Sequence, residues 1–195
     1  MNTISSEQIK ELRNQTGISV MQCKKALEET GGDMEKALVV LRKKGAEVAA
    51  KKSDREFGAG VIGVYVHNTN EVAAMVQLAC ETDFVAKNEQ FVALARDIAM
   101  QVAALNPTFI KREEVDEEAQ EAAKAVFSAE VQDKPADLQE KILQGKLDAY
   151  FKEQILLEQS FVKNLEQTIG DMLKGAIQAF GENIDVIAIE RLSVK

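Results

Sequence analysis

Few side chains in this sequence have the types and spacing that chemistry requires. His67 is the only histidine, and the two cysteines, Cys23 and Cys80, lie far apart with no CxxC pair. A two-histidine metal site, a structural zinc site and a dithiol redox site therefore lack their usual ligands. Gly145-Lys146 belongs to no GxxxxGK[ST] loop, the usual cradle for nucleotide phosphates. The sequence predicts a protein that holds no metal or cofactor and is not an enzyme.

The most informative chemical groups are instead a carboxylate and a large aromatic ring side by side, Asp83 and Phe84. They follow an apolar run, Val72 to Leu78, that predicts a strand, and they precede a long helical pattern. Connections between elements carry function more often than the elements themselves. Two interpretations are open: Phe84 staples the next helix to the core while Asp83 caps it, or the pair is presented to a partner.

Composition places the chain among ordinary globular proteins. It has 195 residues, 46% hydrophobic and 29% charged, which is enough for one or two domains with a real core. No apolar run is long enough for a membrane span, and the first residues lack the pattern of a secretory signal. Two cysteines make no disulfide framework. We expect a cytoplasmic protein with no membrane association and with both cysteines buried.

The charge is unevenly distributed. The net charge is −8; residues 1–55 hold 11 Lys and Arg against 8 Asp and Glu, giving +3, and the remainder holds 13 against 24, giving −11. Neutralisation of phosphates supplies much of the affinity of nucleic-acid-binding proteins. An acidic body therefore argues against direct nucleic acid binding and favours a protein partner.

Residues 1–55 predict a module of three short helices. Ser5 with Gln8 and Ser19 with Gln22 match the capping-box pattern, and Asp33 caps the third helix, which we expect to end at Gly45. A charged tether follows, to about residue 60. The pattern resembles a ubiquitin-associated (UBA-like) module.

Residues 61–195 predict an α+β core with an antiparallel three-stranded sheet packed with helices. The first two strands form a hairpin and the third returns at the end of the chain. The predicted strands are Val61 to His67, Glu71 to Cys80 and Ile184 to Val194. The predicted helices are Asn88 to Leu105, one within 111–133 that touches the core through Ala122, Val126 and Phe127, one over Leu138 to Lys152 broken at Gly145, and Thr168 to Phe180.

Several stretches resemble the signatures of bacterial elongation factor Ts, the guanine nucleotide exchange factor for elongation factor Tu. The two longest are Cys80 to Asn88, and Leu12 to Gly17 with Met21 to Leu27. The resemblance continues through Gly31-Gly32-Asp33, Asn106-Pro107 and Gly181-Glu182-Asn183-Ile184. It covers nearly the whole chain in the family's order, and it implies a translation elongation factor that promotes GDP release.

The resemblance also implies the exchange contacts, which are Thr82, Asp83, Phe84 and Val85. Phe84 would wedge between partner helices near the Mg²⁺ site of elongation factor Tu. Asp83 would act there by hydrogen bonding or charge.

A second set of positions is implied to bind the partner: Arg13, Val20, Met21 and His67. The first three would grip a surface helix, as an exposed cation beside apolar anchors often does. Core packing remains open for Val20 and Met21, since the spacing of Val20 with Cys23 suits a buried face. For His67 a solvated turn residue remains open.

The implied partner is elongation factor Tu, both GDP-bound and nucleotide-free. Longer family members have two core halves and a protruding coiled-coil hairpin, so a chain with one half is expected to form a homodimer through strand edges and Ile155-Leu156-Leu157. Two alternatives compete. One is a plain helical module that binds another protein. The other is a thiol enzyme using Cys80, which is disfavoured because we expect the neighbouring Glu81 and Asp83 to raise the pKa of the thiol.

Overall fold

The structure, a computed structural model, describes residues 4–132 and 135–194. In that part of the chain the helices are α1 (Ser6–Thr16), α2 (Val20–Glu29), α3 (Met34–Ala50), α4 (Asp83–Ala86), α5 (Glu89–Leu105), α6 (Glu117–Val131), α7 (Ala136–Gln154) and α8 (Ile169–Phe180). The strands are β1 (Ala59–Val66), β2 (Val72–Cys80), β3 (Ser160–Phe161), β4 (Asn164–Thr168) and β5 (Ile184–Ser193). Two 3-10 turns cover Arg112–Glu114 and Leu156–Glu158. The predicted α+β class is confirmed.

The three N-terminal helices begin where their caps predict. The Ser5 hydroxyl accepts from the Gln8 backbone N–H at 3.1 Å, and the Gln8 side chain accepts from the Ser5 N–H at 3.0 Å. Gly17, at φ 68°, ends α1 in the left-handed region. The helices enclose a small core of their own: Leu12, Ile18, Cys23, Ala26, Leu27, Ala37 and Leu41. The division into domains 1–55 and 61–195 stays a prediction.

The expected helix end at Gly45 is wrong, because α3 continues to Ala50. A Cβ atom on Gly45 would lie 3.1 Å from Gln178 Oε1 and 3.4 Å from the Lys174 carbonyl oxygen. Both residues belong to α8. The glycine therefore marks the place where α3 packs closely against α8, not the end of the helix.

The main sheet has the order β1-β2-β5 and is antiparallel throughout, as predicted. Helix α5 covers one face of the sheet with a stripe of apolar residues, of which Phe91, Ala95, Ile98 and Val102 are buried. A Cβ atom on Gly63 of β1 would lie 2.3 Å from the Ala95 carbonyl oxygen. The glycine thus lets α5 lie directly on the strand. In the turn between β1 and β2, Asn70 takes the left-handed conformation (φ 58°), which asparagine tolerates.

The middle of the chain differs from prediction. Helix α7 runs unbroken through Gly145, because one glycine costs a helix only about 1 kcal/mol. It pairs antiparallel with α6, as the Lys146–Glu130 ion pair at 2.6 Å shows. On α6 the buried residues are Ala123 and Val131. Of the predicted core contacts, Phe127 packs against the cluster that contains Ala123, whereas Ala122 and Val126 are exposed.

Ile155 and Leu156 are also placed differently from expectation. Both are completely buried, and the Leu156 N–H donates to the Phe109 carbonyl at 2.8 Å. They therefore cannot form the dimer contact that their apolar run suggested. A small hairpin, β3 with β4, follows this segment and was not predicted.

Substitution of two glycines distinguishes close packing from open helix surface. Gly63→Ala should lower the free energy of unfolding by about 3 kcal/mol, because the methyl group meets α5 backbone. Gly145→Ala is the control: nothing lies within 4 Å of its Cβ position, and it should raise stability by about 0.5–1 kcal/mol. Chemical denaturation measures both values. Equal effects would contradict the packing of α5 on β1.

Candidate functional site

The connection after β2 presents Asp83 and Phe84 to solvent. Phe84 is 81% exposed, an unusual position for a large aromatic ring, so it does not staple α5 to the core. The N-cap of α4 is Thr82, whose hydroxyl accepts from the Val85 N–H at 3.5 Å. Asp83 is the first residue of the helix and does not cap it. The structure thus favours presentation of the pair over the staple interpretation.

Val85 points the opposite way from Phe84. It is 4% exposed and packs in the main core with its neighbour Ala86. The implied role of Val85 as a surface contact does not fit this position. It anchors the turn from beneath, because a helical turn rotates about 100° per residue and so separates neighbouring side chains.

Asp83 carries its charge at neutral pH. Its Oδ2 accepts a hydrogen bond of 2.6 Å from the Lys87 Nζ, and this bond and the Lys87 charge lower the pKa of the Asp83 carboxyl. Both side chains are more than three-quarters exposed. Exposed ion pairs are weak, so a partner group can replace Lys87 at the carboxylate without much loss.

The turn is braced from the far end of the sequence by Glu182, which lies between α8 and β5. Glu182 Oε2 accepts from the backbone N–H groups of Glu81 and Thr82, both at 3.0 Å. Glu182 Oε1 accepts from the Thr82 hydroxyl at 2.5 Å. From the sequence, Glu182 is identified only as part of the stretch Gly181 to Ile184 that resembles the family. Nothing in its spacing indicated that it meets residues about a hundred positions earlier.

Cys80 is buried, as expected, and so is Cys23. Burial raises the pKa of the Cys80 thiol, and the nearby Glu182 charge raises it further. Glu81 and Asp83, the residues expected to raise it, are not the cause. A thiol with a raised pKa is a poor nucleophile at neutral pH, which removes support for the thiol-enzyme alternative.

The N-terminal candidates all lie on the surface. Met21 is 81% exposed and Val20 54% exposed at the start of α2, so the interpretation of either as core packing is wrong. Cys23 takes the buried position on that helix. Arg13 is exposed on α1, and within the described residues no ion pair holds its guanidinium.

His67 lies at the other end of the sheet from Asp83 and Phe84. Cys80 pairs with Ala59, whereas His67 follows the end of β1, beyond the pair Val66 and Ala73. With a rise of about 3.3 Å per residue, the two places are more than about 20 Å apart. His67 is exposed, and its Nδ1 lies 3.2 Å from the Tyr65 hydroxyl. Only a partner of protein size spans both places.

Comparison with known proteins gives a consistent result. The family model described as "Elongation factor TS" matches residues 5–195. The chain belongs to the elongation factor Ts family. It is 47% identical over 193 residues to elongation factor Ts of Thermosipho melanesiensis and 46% identical over 193 residues to that of Leptospira biflexa, covering 98% of each chain in both cases. It is 45% identical over 192 residues to that of Thermodesulfovibrio yellowstonii, covering 98% of this chain and 96% of the relative.

Membership of the elongation factor Ts family supports a role as a translation elongation factor. Within residues 4–132 and 135–194, no group of His, Cys, Asp and Glu side chains is arranged to hold a metal ion. In the same part of the chain, no helix has the length and apolar character needed to cross a bilayer.

Two adjacent substitutions test which side chain is presented and which is the anchor. Phe84→Ala should change the free energy of unfolding by less than about 0.5 kcal/mol, because the ring has few contacts to lose. Val85→Ala should cost about 2 kcal/mol, because it leaves a cavity in the core. Urea denaturation of both variants measures this. A larger loss for Phe84→Ala than for Val85→Ala would contradict the described turn.

Proposed function

We propose that this protein promotes release of GDP from elongation factor Tu by disturbing the Mg²⁺ and phosphate site of that partner with Phe84 and Asp83. The observation that carries the proposal is the 81% exposure of Phe84 beside an anionic Asp83 on a braced turn. A rigid aromatic ring inserts into a partner with little loss of conformational entropy. Thr82 contributes by capping the turn. Val85, being buried, supports it from below.

The physical basis of the proposed activity is linkage between two binding events. If the protein prefers the nucleotide-free partner, it weakens nucleotide binding by the factor by which nucleotide weakens its own binding. Mg²⁺ demands near-ideal octahedral geometry, so a small displacement of its surroundings weakens its hold on the phosphates. The protein makes and breaks no covalent bond in this process. It changes the rate of exchange, not the balance between GDP and GTP.

In this proposal the N-terminal helices provide the contacts that bind elongation factor Tu most firmly, which we call the grip. Arg13, Val20 and Met21 are exposed there, and a cation beside apolar anchors is typical of binding hot spots. His67 is proposed as a distant third contact. The acidic remainder of the chain, at −11, fits a protein partner in the cytoplasm and not direct nucleic acid binding.

Release of a fluorescent GDP analogue from elongation factor Tu tests the proposal. Wild-type protein should accelerate release, and Phe84→Ala should lower kcat/KM by about tenfold or more, as loss of a hot spot does. Asp83→Ala should lower it less, because its charge is shared with Lys87. Met21→Ala should act mainly on KM, since the grip is separate from the exchange contacts.

Leu165→Ala is the matched control, because Leu165 is a 74% exposed apolar side chain on β4, outside the proposed contacts. It should retain wild-type exchange. If Phe84→Ala and Asp83→Ala both retained full activity, the site assignment would be wrong. The alternative of a plain helical interaction module would then gain support, because in that case the turn at Thr82 to Phe84 has no task.

We also propose that the protein forms a homodimer through the open face of the main sheet, on the side away from α5. Residues paired across antiparallel strands point to one side, so the rows Ile62–Gln77–Ala188, Val64–Met75–Glu190 and Val66–Ala73–Leu192 share this face. Ile62, Val64, Val66, Met75 and Leu192 are all exposed. Contiguous apolar patches of this kind mark interaction surfaces, and two such sheets can pack face to face about a two-fold axis.

Val64→Asp tests the dimer, because a two-fold axis brings the substitution into the interface twice. It should raise the dimer dissociation constant by about a hundredfold or more in sedimentation equilibrium. Leu165→Asp should leave the dimer intact. Wild-type protein that sediments as a monomer at micromolar concentration would contradict the proposal.

A further inference from the structure

Four polar groups meet where the turn before β5 approaches the end of β2. The turn is Gly181-Glu182-Asn183, which joins α8 to β5. The Glu182 carboxylate receives three hydrogen bonds from Glu81 and Thr82, as described above. In return, the Glu81 carboxylate accepts from the Asn183 N–H at 2.6 Å. Two carboxylates therefore cross-link the same two segments in opposite directions.

The bonds to Glu182 fall where the sheet stops supplying partners. Cys80 is the last residue of β2, so the N–H groups of Glu81 and Thr82 lie beyond the strand and its ladder. The Glu81 N–H is half-buried, and a backbone N–H in such a position requires an acceptor. Glu182 thus fixes the backbone at the two residues immediately before Asp83 and Phe84.

The Thr82 hydroxyl transmits this constraint to α4. It donates to Glu182 and accepts from the Val85 N–H, which is the N-cap bond of the helix. Helix α4 has only four residues, too few to be stable alone, so its orientation comes from its anchors. Those anchors are Val85 and Ala86 in the core and Thr82 at the N-terminus. A shift of Thr82 therefore redirects Phe84.

The tether from the N-terminal helices ends at the same turn. Lys52 Nζ donates to the Gly181 carbonyl at 2.6 Å, and the Asn183 side-chain amide donates to the Arg55 carbonyl at 2.9 Å. Arg55 also donates to the Glu81 carboxylate at 3.3 Å. The pKa of Glu81 is lowered, first by the Asn183 N–H and then by Arg55, so the Glu81 carboxylate is ionised at neutral pH.

From this geometry we infer that Glu182 is a positioning residue for nucleotide exchange: it holds Thr82 so that Phe84 and Asp83 are presented in the orientation that acts on the partner. The inference rests on the proposed function and deepens it. Glu182 acts only through the turn. Its removal is therefore expected to affect the exchange step and to leave the grip of the N-terminal helices unchanged.

The first arm of the test measures exchange on elongation factor Tu with the full chain. Glu182→Ala removes all three hydrogen bonds to the carboxylate. It should lower the maximal rate about tenfold or more, since the loss of even one bond to a carboxylate corresponds to an equilibrium factor of about ten, while KM changes less than about twofold. Glu182→Gln keeps one acceptor oxygen and should be intermediate. Glu166→Ala is the matched control, because Glu166 is an exposed glutamate on β4 away from the turn.

A second variant keeps the test valid if Glu182→Ala folds poorly. Thr82→Val leaves both backbone bonds to Glu182 in place and removes the hydroxyl, which takes away its bond to Glu182 and its cap on the Val85 N–H. It should reproduce the loss of maximal rate, whereas Thr82→Ser should restore wild-type exchange. A role confined to stability would predict no difference between these variants at a temperature where both are folded.

The double variant Glu182→Ala/Phe84→Ala is decisive. Because Glu182 acts through Phe84 and Asp83, the double variant should be slower than Phe84→Ala alone by no more than the effect of Asp83→Ala. A double variant slower by the product of the two single effects would overturn the inference, since Glu182 would then act by another route.

Amide hydrogen exchange on the isolated protein separates failure of the inference from failure of the proposed function. Glu182→Ala should speed exchange at the Glu81 and Thr82 amides by about tenfold or more and leave α5 unchanged. Unchanged protection overturns the inference whatever the activity. Lost protection with normal GDP release, beside a defective Phe84→Ala, also overturns it while the proposed function stands. Full activity of both Phe84→Ala and Asp83→Ala overturns the proposed site of exchange, and the positioning role with it.

Discussion

The position of Phe84 is fixed by what its neighbours must do. In one helical turn consecutive side chains point about 100° apart, so burying Val85 and Ala86 directs the two residues before them outward. Burial of a large aromatic ring ordinarily contributes about 2 kcal/mol, and here that contribution is forgone. The core beneath α4 is already filled by β2 and α5. The exposed position of the Phe84 ring thus follows from the packing of α4 on β2 and α5, and not from a loose loop.

The same packing shows how the proposed exchange surface can be built with few chemically reactive groups. The chain offers one histidine, two buried thiols and no phosphate loop, so it has few groups with which to attack a substrate. What it offers is a rigid arrangement of ordinary contacts. Glu182 and Glu81 connect the end of β2 to the start of β5, and Lys52 and Arg55 attach the tether to the same turn. A ring and a carboxylate held in this way can act on a partner by shape and charge alone.

The parts of the fold that local rules govern could be predicted from the sequence. Ser5 and Asp33 cap their helices as expected, α8 begins next to its predicted start at Thr168, and the three strands of the main sheet lie close to their predicted positions. Glycine was the recurrent source of error. Gly45 was interpreted as a helix end and Gly145 as a break, because the sequence does not show whether a glycine serves backbone conformation, close packing or neither.

For the candidate site, too, some positions could be predicted from the sequence, and contacts between distant segments could not. The exposed pair Asp83 and Phe84, and the surface position of Met21, agree with the expectation drawn from family resemblance. The burial of Val85 and the bracing by Glu182 could not be predicted, since both depend on contacts between segments distant in sequence. The apolar run at Ile155 and Leu156 was compatible with either an interface or the core. The structure shows that both residues are in the core, where the Leu156 N–H bonds to the Phe109 carbonyl.

The central claim is that this protein loosens GDP by disturbing the Mg²⁺ site of elongation factor Tu. The most direct measurement is the rate of GDP dissociation with and without the protein, first in millimolar Mg²⁺ and then in excess chelator. The account predicts that the acceleration factor falls by about tenfold or more without Mg²⁺, because removal of the ion has already weakened GDP binding. It also predicts that wild type and Phe84→Ala then accelerate GDP dissociation to the same extent. An acceleration factor that is the same in both conditions would contradict the account.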